Sequence, residues 1–340
     1  MKTIQAKDMT NERWKSFANL RDFLTKKINP QYWDGKDADW VKIKNNYLDK
    51  VSLTDNAFSN SYYIIEDNKV IAFIDAFERR GHLDFIFNHY GKVITLDIIK
   101  MILNEIKNLL TEKNRTEAFF FTFSERHYEP LFKTGAEIYD EEINLRLLKK
   151  DIDFSNLKKI VADNKYISDY ELKLFREIPE DIHQKYVDYM YEVNNDKNEF
   201  HPKKRRTLDY TMNDLLTRIK DMNDRKFIFY MYMIFDKDEI AAYCSVYVET
   251  IDRKPFIQHA GNLTSVRKKY RGKGFAKYLK AKIYLKIQED YPDYTQILTD
   301  TYPWNKYMYR INEEFGFKQY QKGYTFRFTK EYLEKFTNEN

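Results

Sequence analysis

The feature that most constrains this chain is a short basic segment with two glycines, Arg267-Lys-Lys-Tyr-Arg-Gly-Lys-Gly-Phe-Ala276. Gly272 and Gly274 are two of only nine glycines in 340 residues. An apolar, strand-like stretch (256–266) precedes the segment, and a helix-like stretch (276–288) follows it. Glycine lets the backbone approach a ligand closely, and the first turn of a helix presents N–H groups with partial positive charge. The order of these elements therefore predicts a site for a diphosphate group.

The common nucleotide-binding motifs do not account for this segment. The chain contains no G-x-x-x-x-G-K-[ST] sequence, which excludes a phosphate loop of that type. The glycines do not form G-x-G-x-x-G, and no βαβ unit with a ribose-binding acid follows them. A basic loop that merely caps a surface helix is the alternative interpretation of the segment.

A second motif lies downstream of the glycines. Residues 296–301 have the pattern of a strand, and residues 305–317 have the pattern of a helix. Met308, Ile311 and Phe315 recur at helical spacing, and Gly316 stands where a helix commonly ends. The sequence therefore predicts a strand, a helix and a glycine cap after the basic loop.

Together the two segments resemble motifs of the GNAT superfamily, the acetyl-CoA-dependent N-acetyltransferases. That family has [QR]-x-x-G-x-[GA] after its fourth strand, and Lys269-Tyr-Arg-Gly-Lys-Gly274 fits, with Lys in the first position. The following helix of the family commonly contains N-x-x-[AM]-x-x-[LI]-[YN]-x-x-x-G-F, which matches residues 305–317. The resemblance implies an α/β (α+β) fold with a mixed, mostly antiparallel central sheet flanked by helices, and acetyl-CoA as co-substrate.

The resemblance also implies which residues would hold the cofactor. The pantetheine would pair with the strand that contains Leu263, Thr264 and Val266. Asn305, Met308 and Asn312 would bind the pantetheine or the acetyl region. The phosphates would be held around the glycine loop, by Lys269, Arg271, Gly272, Lys273, Gly274, Phe275 and Ala276.

The catalytic acid and base are less clearly indicated. Many GNAT proteins have tyrosine where this chain has Asn312, and asparagine cannot supply a proton. Tyr302 and Tyr309 are the candidate acids. An alkyl amine is mostly protonated at neutral pH, so a base is useful. The candidate bases are Glu249, His259 and Asp300.

The chain repeats its own pattern. Gly91-Lys92 corresponds to Gly272-Lys273, and Gly135 corresponds to Gly316, both at an offset of 181 residues. Residues 69–73 also resemble residues 239–243. Three correspondences in the same order indicate a duplicated domain. A tandem arrangement is a known variant of the GNAT family.

The two copies differ where a cofactor would bind. Val93 stands in the place of Gly274, and a branched side chain there would obstruct the diphosphate. The sequence therefore predicts a degenerate GNAT-like domain at 1–150, a linker at 151–165 and a coenzyme-A-binding domain at 166–340.

Composition excludes several other classes. Net charge is +5 from 58 basic and 53 acidic residues, a mixed surface that argues against nucleic-acid binding. One cysteine, Cys244, excludes an internal disulfide and a cysteine-rich metal site, and no metal is expected. The polar start and the lack of an apolar stretch of about 20 residues predict a cytoplasmic protein without membrane contact.

The sequence predicts an N-acetyltransferase acting on the primary amine of a small molecule or peptide. One alternative is an aminoacyl transferase of the peptidoglycan-bridge type, although the intact glycines argue against it. The other is a non-catalytic acyl-CoA sensor, which the missing tyrosine keeps open. No motif identifies the acceptor, and nothing indicates an oligomeric state.

Overall fold

The computed structural model describes residues 1–28, 37–45, 60–79, 82–90, 94–203, 210–224, 228–251, 254–259 and 264–339. The chain divides into two units, Met1–Glu141 with Gly323–Asn340, and Glu142–Lys322. Two strands cross the boundaries between the units, β6 (Glu137–Leu148) and β13 (Lys318–Thr329). The first unit therefore includes a segment from the end of the sequence, whereas the second is the continuous range Glu142–Lys322; the predicted ranges were 1–150 and 166–340.

The first unit is a sheet with helices on both faces. Its described strands follow the spatial order β1–β2–β3–β4–β5–β13, where β4 and β5 are parallel and their other pairings antiparallel. The strands before β6 are β1 (Lys2–Gln5), β2 (Ser61–Glu66), β3 (Lys69–Arg79), β4 (His82–His89) and β5 (Glu117–Thr122). The helices are α1 (Asn11–Phe23), α2 (Leu96–Glu112), α3 (Glu125–Lys133) and, late in the chain, α9 (Lys330–Glu339).

The second unit has the same plan. Its strands are β7 (Glu171–Phe175), β8 (Ile228–Asp236), β9 (Glu239–Ile251), β10 (Lys254–Gln258), β11 (Thr264–Val266) and β12 (Gln296–Thr301). Its helices are α4 (Phe154–Ala162), α5 (His183–Asn198), α6 (Met212–Asp224), α7 (Phe275–Asp290) and α8 (Lys306–Glu314). The spatial order is β6–β12–β10–β9–β8–β7, with β11 paired to β9.

The sheet of the second unit has two differently covered faces. On one, which we call the α7 face, Cys244, Val246 and Ile297 pack with apolar residues of α4 and α7. On the other, the α5 face, Tyr243 and Tyr247 pack with residues of α5 and α6. Successive side chains of a strand point to opposite faces, so the register assigns every other strand residue to one side.

Candidate functional site

The glycine loop leads directly into the N-terminus of α7. Gly272 and Gly274 have φ values of +82° and +75°, a left-handed conformation that glycine adopts without steric cost. Gly274 is the cap residue of α7 and has no side chain to bond to the end of the helix. The first N–H groups of a helix have no acceptor within it, so those of Phe275 and Ala276 point toward the loop opening. This end of α7 has the geometry of an anion site.

The side chain of Asn164 stabilises the conformation of the loop. Its amide nitrogen donates to the carbonyl oxygen of Lys273 at 3.1 Å. A Cβ atom at Gly274 would come within 3.3 Å of the same nitrogen. Sequence reasoning missed Asn164 because it precedes the loop by more than a hundred residues and belongs to no motif.

The basic side chains of the loop are paired with carboxylates. Three acceptors belong to α5 or follow it directly, and a fourth lies at the start of β9. The pairs are Arg267 with Glu192 (3.0 Å), Lys268 with Glu199 (3.1 Å), Arg271 with Asp196 (3.0 Å) and Lys269 with Glu239. Lys273 differs from the others in contacting the hydroxyl of Tyr170. A bound phosphate would compete for cations that these carboxylates now neutralise.

The region predicted as one strand at 256–266 contains two described strands, β10 and β11. β10 pairs with β12 at Ile257–Ile297 and Gln258–Leu298, and the N–H of His259 donates to Leu298 at 2.9 Å. In the described part of the chain, β11 then pairs with β9 but not with β12. The two strands therefore border a gap that could admit an extended ligand with amide groups.

Of the three strand residues predicted to line this gap, the structure describes two. Leu263 falls outside the described residues. Thr264 faces the α7 side, where its hydroxyl lies 3.2 Å from the Cys244 sulfur. The carbonyl of Val266 accepts a hydrogen bond from the Arg271 side chain at 3.2 Å.

Several buried polar atoms on the α7 face lack hydrogen-bond partners within the described residues. Both polar atoms of the Asn312 side chain are unpaired, although the residue is fully buried. The Thr301 hydroxyl is unpaired as well. Leaving a buried donor or acceptor unsatisfied costs roughly 1–3 kcal/mol. These atoms fit a polar ligand such as the pantetheine arm, which would supply the missing partners.

Lys280 and His259 lie in the core of the α7 face. Lys280 is 1% exposed, and burial lowers its pKa to about 8, partly offset by Cys244 and Asp300. The Nε2 atom of His259 lies 2.6 Å from the Tyr284 hydroxyl. Burial, aided by Lys280, lowers the pKa of His259 well below its usual range, so the imidazole is neutral. His259 thus faces α7 and not the α5 face.

The remaining predicted residues occupy different surroundings. The side-chain oxygen of Asn305 accepts the Met308 N–H at 3.3 Å and so caps α8. Tyr302 stacks on Trp304, with ring centroids 4.8 Å apart. Tyr309 is half-buried against the α7-face core. The backbone of Glu249 pairs with Phe256, which places this residue on the α5 face by register, and its side chain lies outside the described part.

A carboxylate that the sequence analysis missed lies on β6. The register pairs Asp300 with Asn144, so Glu142, two residues earlier, is on the same face as Asp300. Following the register through Leu298 and Gln258 shows this to be the α5 face. Burial, and then the neighbouring Asp300, raises the pKa of Glu142 to about 8. Glu142 precedes the range 166–340 predicted for the second domain. Only the structure shows that β6, which contains it, pairs with β12 of the second unit.

An acidic pocket of about 650 Å³ lies beside α5. Four carboxylates and one guanidinium line it, together with two tyrosines. The polar and aromatic lining consists of Asp188, Glu192, Asp196, Glu199, Arg267, Tyr191 and Tyr210. The carboxylates outnumber the cation, which gives the pocket an electrostatic preference for positively charged ligands.

No group of three or more His, Cys, Asp or Glu side chains in the described ranges is arranged to hold a metal ion. No helix within those ranges combines the length and the apolar character needed to cross a bilayer.

Several solved structures resemble this chain in fold, and one of them is described as a tandem GNAT protein. A tandem GNAT protein from the clavulanic acid biosynthesis pathway, without acetyl-CoA, superposes with a TM-score of 0.66 over 96% of this chain and 97% of its own, at 12% identity. A GCN5-related N-acetyltransferase from Sphaerobacter thermophilus gives a TM-score of 0.59 over 96% of both chains, at 11% identity. A probable N-acyltransferase from Enterococcus faecalis gives 0.52 over 97% of this chain and 73% of its own, at 12% identity.

These likenesses confirm the predicted fold, a mixed sheet flanked by helices in a tandem GNAT arrangement. Comparison with models of known protein families gave no match, and neither did comparison with curated protein sequences.

Proposed function

Because the chain has the tandem GNAT fold, we propose that its second unit binds acetyl-CoA and transfers the acetyl group to a primary amine of a small molecule or peptide. The observation that supports this most is the uncapped N-terminus of α7 beside Gly272 and Gly274, next to the gap between β11 and β12. A diphosphate and an amide-containing arm need these two features side by side.

Each part of the site has a role in this proposal. Backbone N–H groups of the glycine loop and of Phe275 and Ala276 hold the diphosphate. The open edge of β11 pairs with the pantetheine amides, and Asn312 satisfies its buried side chain on the same arm. Acetyl-CoA supplies an acetyl group already activated as a thioester. The protein aligns that group with the amine and excludes water.

The acidic pocket suggests a cationic acceptor. Phosphate groups would draw Lys268 and Arg271 away from Glu199 and Asp196, which line the pocket. The released carboxylates could then attract an amine that carries a positive charge elsewhere in the molecule. This supports an amine acceptor more than the lipid-linked acceptor of the aminoacyl transferase alternative.

The amine must lose a proton before or during transfer, and Glu142 is the group we propose as its acceptor. It shares the α5 face with Asp300, and its raised pKa of about 8 makes it a stronger base than an ordinary carboxylate. Because only the ionised form accepts a proton, turnover should rise with pH through about 8. Glu142→Gln should remove this rise, and an unchanged pH profile would exclude the role.

The proposal is tested by titrating acetyl-CoA into the protein by calorimetry, with Gly274→Val as the comparison. We expect one site per chain, lost in the variant, followed by turnover with members of a panel of amines. Absence of binding would favour the aminoacyl transferase. Binding without turnover on any amine would favour the acyl-CoA sensor.

A further inference from the structure

One lysine of α7 faces the protein interior. The neighbouring inward residues Leu279, Ala281 and Ile283 are fully buried and apolar, as expected for the core side of a helix. Lys280 lies among them at 1% exposure. Lysine is almost never fully buried unless it is paired. Its burial therefore needs a reason beyond packing.

The surroundings of Lys280 place it behind the gap between β11 and β12. Cys244 of β9, which contacts Thr264 of β11, acts on its charge from one side. Asp300 of β12 acts on it from the other. The ammonium nitrogen is 5.9 Å from the centre of the Tyr284 ring and 5.5 Å from that of Phe317. The ammonium thus lies against the core of the α7 face, the side of the sheet on which Thr264 of β11 contacts Cys244.

The described groups around Lys280 do not neutralise it. Cys244 is a neutral thiol, because burial raises its pKa to about 11. His259 is neutral and bonded to Tyr284, on the same helix as the lysine. No carboxylate in the described part of the chain forms an ion pair with Lys280, and Asp300 acts only from a distance. An anionic group of a bound ligand would neutralise the ammonium ion of Lys280 in this site.

The proposed reaction produces an anion when coenzyme A leaves as a thiolate. Asn312 stands where many GNAT proteins carry a tyrosine, and its amide cannot give up a proton. We propose that Lys280 is the acid that protonates the departing coenzyme A thiolate. This inference rests on the proposed function and identifies a group that it leaves unassigned.

The step balances without any further reagent. As the carbon–sulfur bond breaks, its electron pair goes to sulfur, and the ammonium of Lys280 transfers one proton to that sulfur. The products are a neutral thiol and a neutral lysine. The proton that the attacking amine gives up passes to the base, and exchange with solvent returns a proton to Lys280.

The proton affinities of the two partners are matched. Burial lowers the pKa of Lys280 to about 8, and an ordinary thiol has a pKa of about 8.5. Proton transfer between groups of similar pKa is nearly thermoneutral, which is favourable for general acid catalysis near neutral pH. An exposed lysine, with its pKa about two units higher, would hold its proton more tightly.

The test compares Lys280→Met with Lys282→Met, a matched change two residues along the same helix. Coenzyme A is bound to each protein, and ionisation of its thiol is followed by the ultraviolet absorbance of the thiolate as pH is raised. A nearby ammonium stabilises the thiolate. The bound thiol should therefore ionise at least one pH unit lower in the wild type and Lys282→Met than in Lys280→Met.

A second variant separates charge from proton donation. Lys280→Arg keeps the positive charge but holds its proton, so the bound thiol should ionise as in the wild type. Its turnover of an amine found in the panel should nevertheless fall at least tenfold. The descending limb above about pH 8, which loss of the Lys280 proton causes and which is opposite to the rising limb of Glu142, should be absent from its pH profile. Unchanged turnover in Lys280→Arg would overturn this inference. Identical thiol ionisation in the wild type and in Lys280→Met would also overturn it, provided that both bind coenzyme A with the same affinity. In either case the proposed function would stand. Failure of the wild type to bind coenzyme A would overturn the proposed function as well.

Discussion

The two units differ in how they cap the N-terminus of the helix that follows their fourth strand. In the first unit the hydroxyl of Thr95 accepts the N–H of Ile98 at 3.4 Å and so caps α2. In the second, the cap residue of α7 is Gly274, which has no side chain to offer. A duplicated fold thus satisfies the helix end with its own side chain in one copy. In the other copy it leaves that end available to a ligand.

The cores packed against α2 and α7 also differ, because polar residues of the second core stand where the first has apolar ones. At the offset of 181 residues, Ile99 and Leu131 of the first unit correspond to Lys280 and Asn312 of the second. Both first-unit residues are buried and apolar. The polar counterparts are costly to bury, which indicates that they serve binding or chemistry and not stability.

At the end of β4 in the first unit, side chains of α3 lie against the strand. Arg126 of α3 donates to the carbonyl of His89, the last residue of β4, at 2.7 Å. The His127 ring packs on Phe87 with centroids 4.8 Å apart. Burial lowers the pKa of His89 to about 4 and that of His127 to about 3, so both rings are neutral packing groups. Protein side chains fill the space at the end of this strand.

The largest effect should come from moving the buried charge into the first unit. Ile99→Lys should lower the free energy of unfolding by on the order of 4 kcal/mol or more, because the α2 core has no group to receive an ammonium ion. Ile99→Met, a change of similar volume, should cost less than about 1.5 kcal/mol. Urea denaturation at pH 7 measures both. Equal costs would mean that the two cores tolerate charge alike.

The reverse exchange, Lys280→Ile, should stabilise the protein without ligand. Burial lowers the pKa of Lys280 from 10.5 to about 8, so between these values the unfolded chain binds the extra proton and stability rises with pH. Below pH 8 the cost is fully present and is worth about 3 kcal/mol. Denaturation midpoints at pH 7 and pH 10.5 should therefore differ less for Lys280→Ile than for the wild type. Parallel curves would contradict the burial cost.

Gly274→Val copies the residue of the first unit and should weaken coenzyme A binding at least 100-fold, about 2.7 kcal/mol. The side chain strains a left-handed residue and crowds the Asn164 amide that bonds to Lys273, so the loop cannot keep the conformation that presents its N–H groups. Gly135→Val is the matched control, because Gly135 also has a φ of +75° but nothing within 4 Å of an added Cβ. It should lower stability similarly and leave affinity unchanged. Calorimetry of both variants distinguishes strain from lost binding.

The smallest effect is expected for Asn312→Leu. Removing two unsatisfied buried polar atoms should raise the stability of the ligand-free protein by about 1–2 kcal/mol. Coenzyme A affinity should fall roughly tenfold, the loss of one hydrogen bond of about 1.4 kcal/mol. Thermal denaturation with and without coenzyme A measures both quantities. A stability gain with undiminished affinity would show that Asn312 does not touch the cofactor.

Local patterns predicted the elements of the second unit well. The strand predicted at 296–301 has those bounds in the structure, and the predicted helix 276–288 differs from α7 by one or two residues at each end. The predicted single strand 256–266 is instead two strands, β10 and β11. Apolar character continues through both, so periodicity does not reveal the break between them.

The site was less predictable because its parts are distant in sequence. The glycine loop is one continuous motif, so the sequence alone predicts it as a diphosphate site. Asn164 and Glu142 belong to the second unit but lie before the range 166–340 predicted for its domain, and neither belongs to a local pattern. The burial of Lys280 was equally hidden, since a lysine on a helix is normally exposed. Val93, the predicted marker of the degenerate copy, lies outside the described residues.

The crossing of β6 and β13 between the units has a consequence for biosynthesis. The core of the first unit includes Phe326, Phe328 and Leu333, and β13 closes its sheet against β5. A ribosome releases these residues only after the whole second unit has emerged. The first unit to be synthesised is therefore the last that can be completed. Until then the edge of β5 is exposed, a state in which nascent chains are prone to aggregate and to need chaperones.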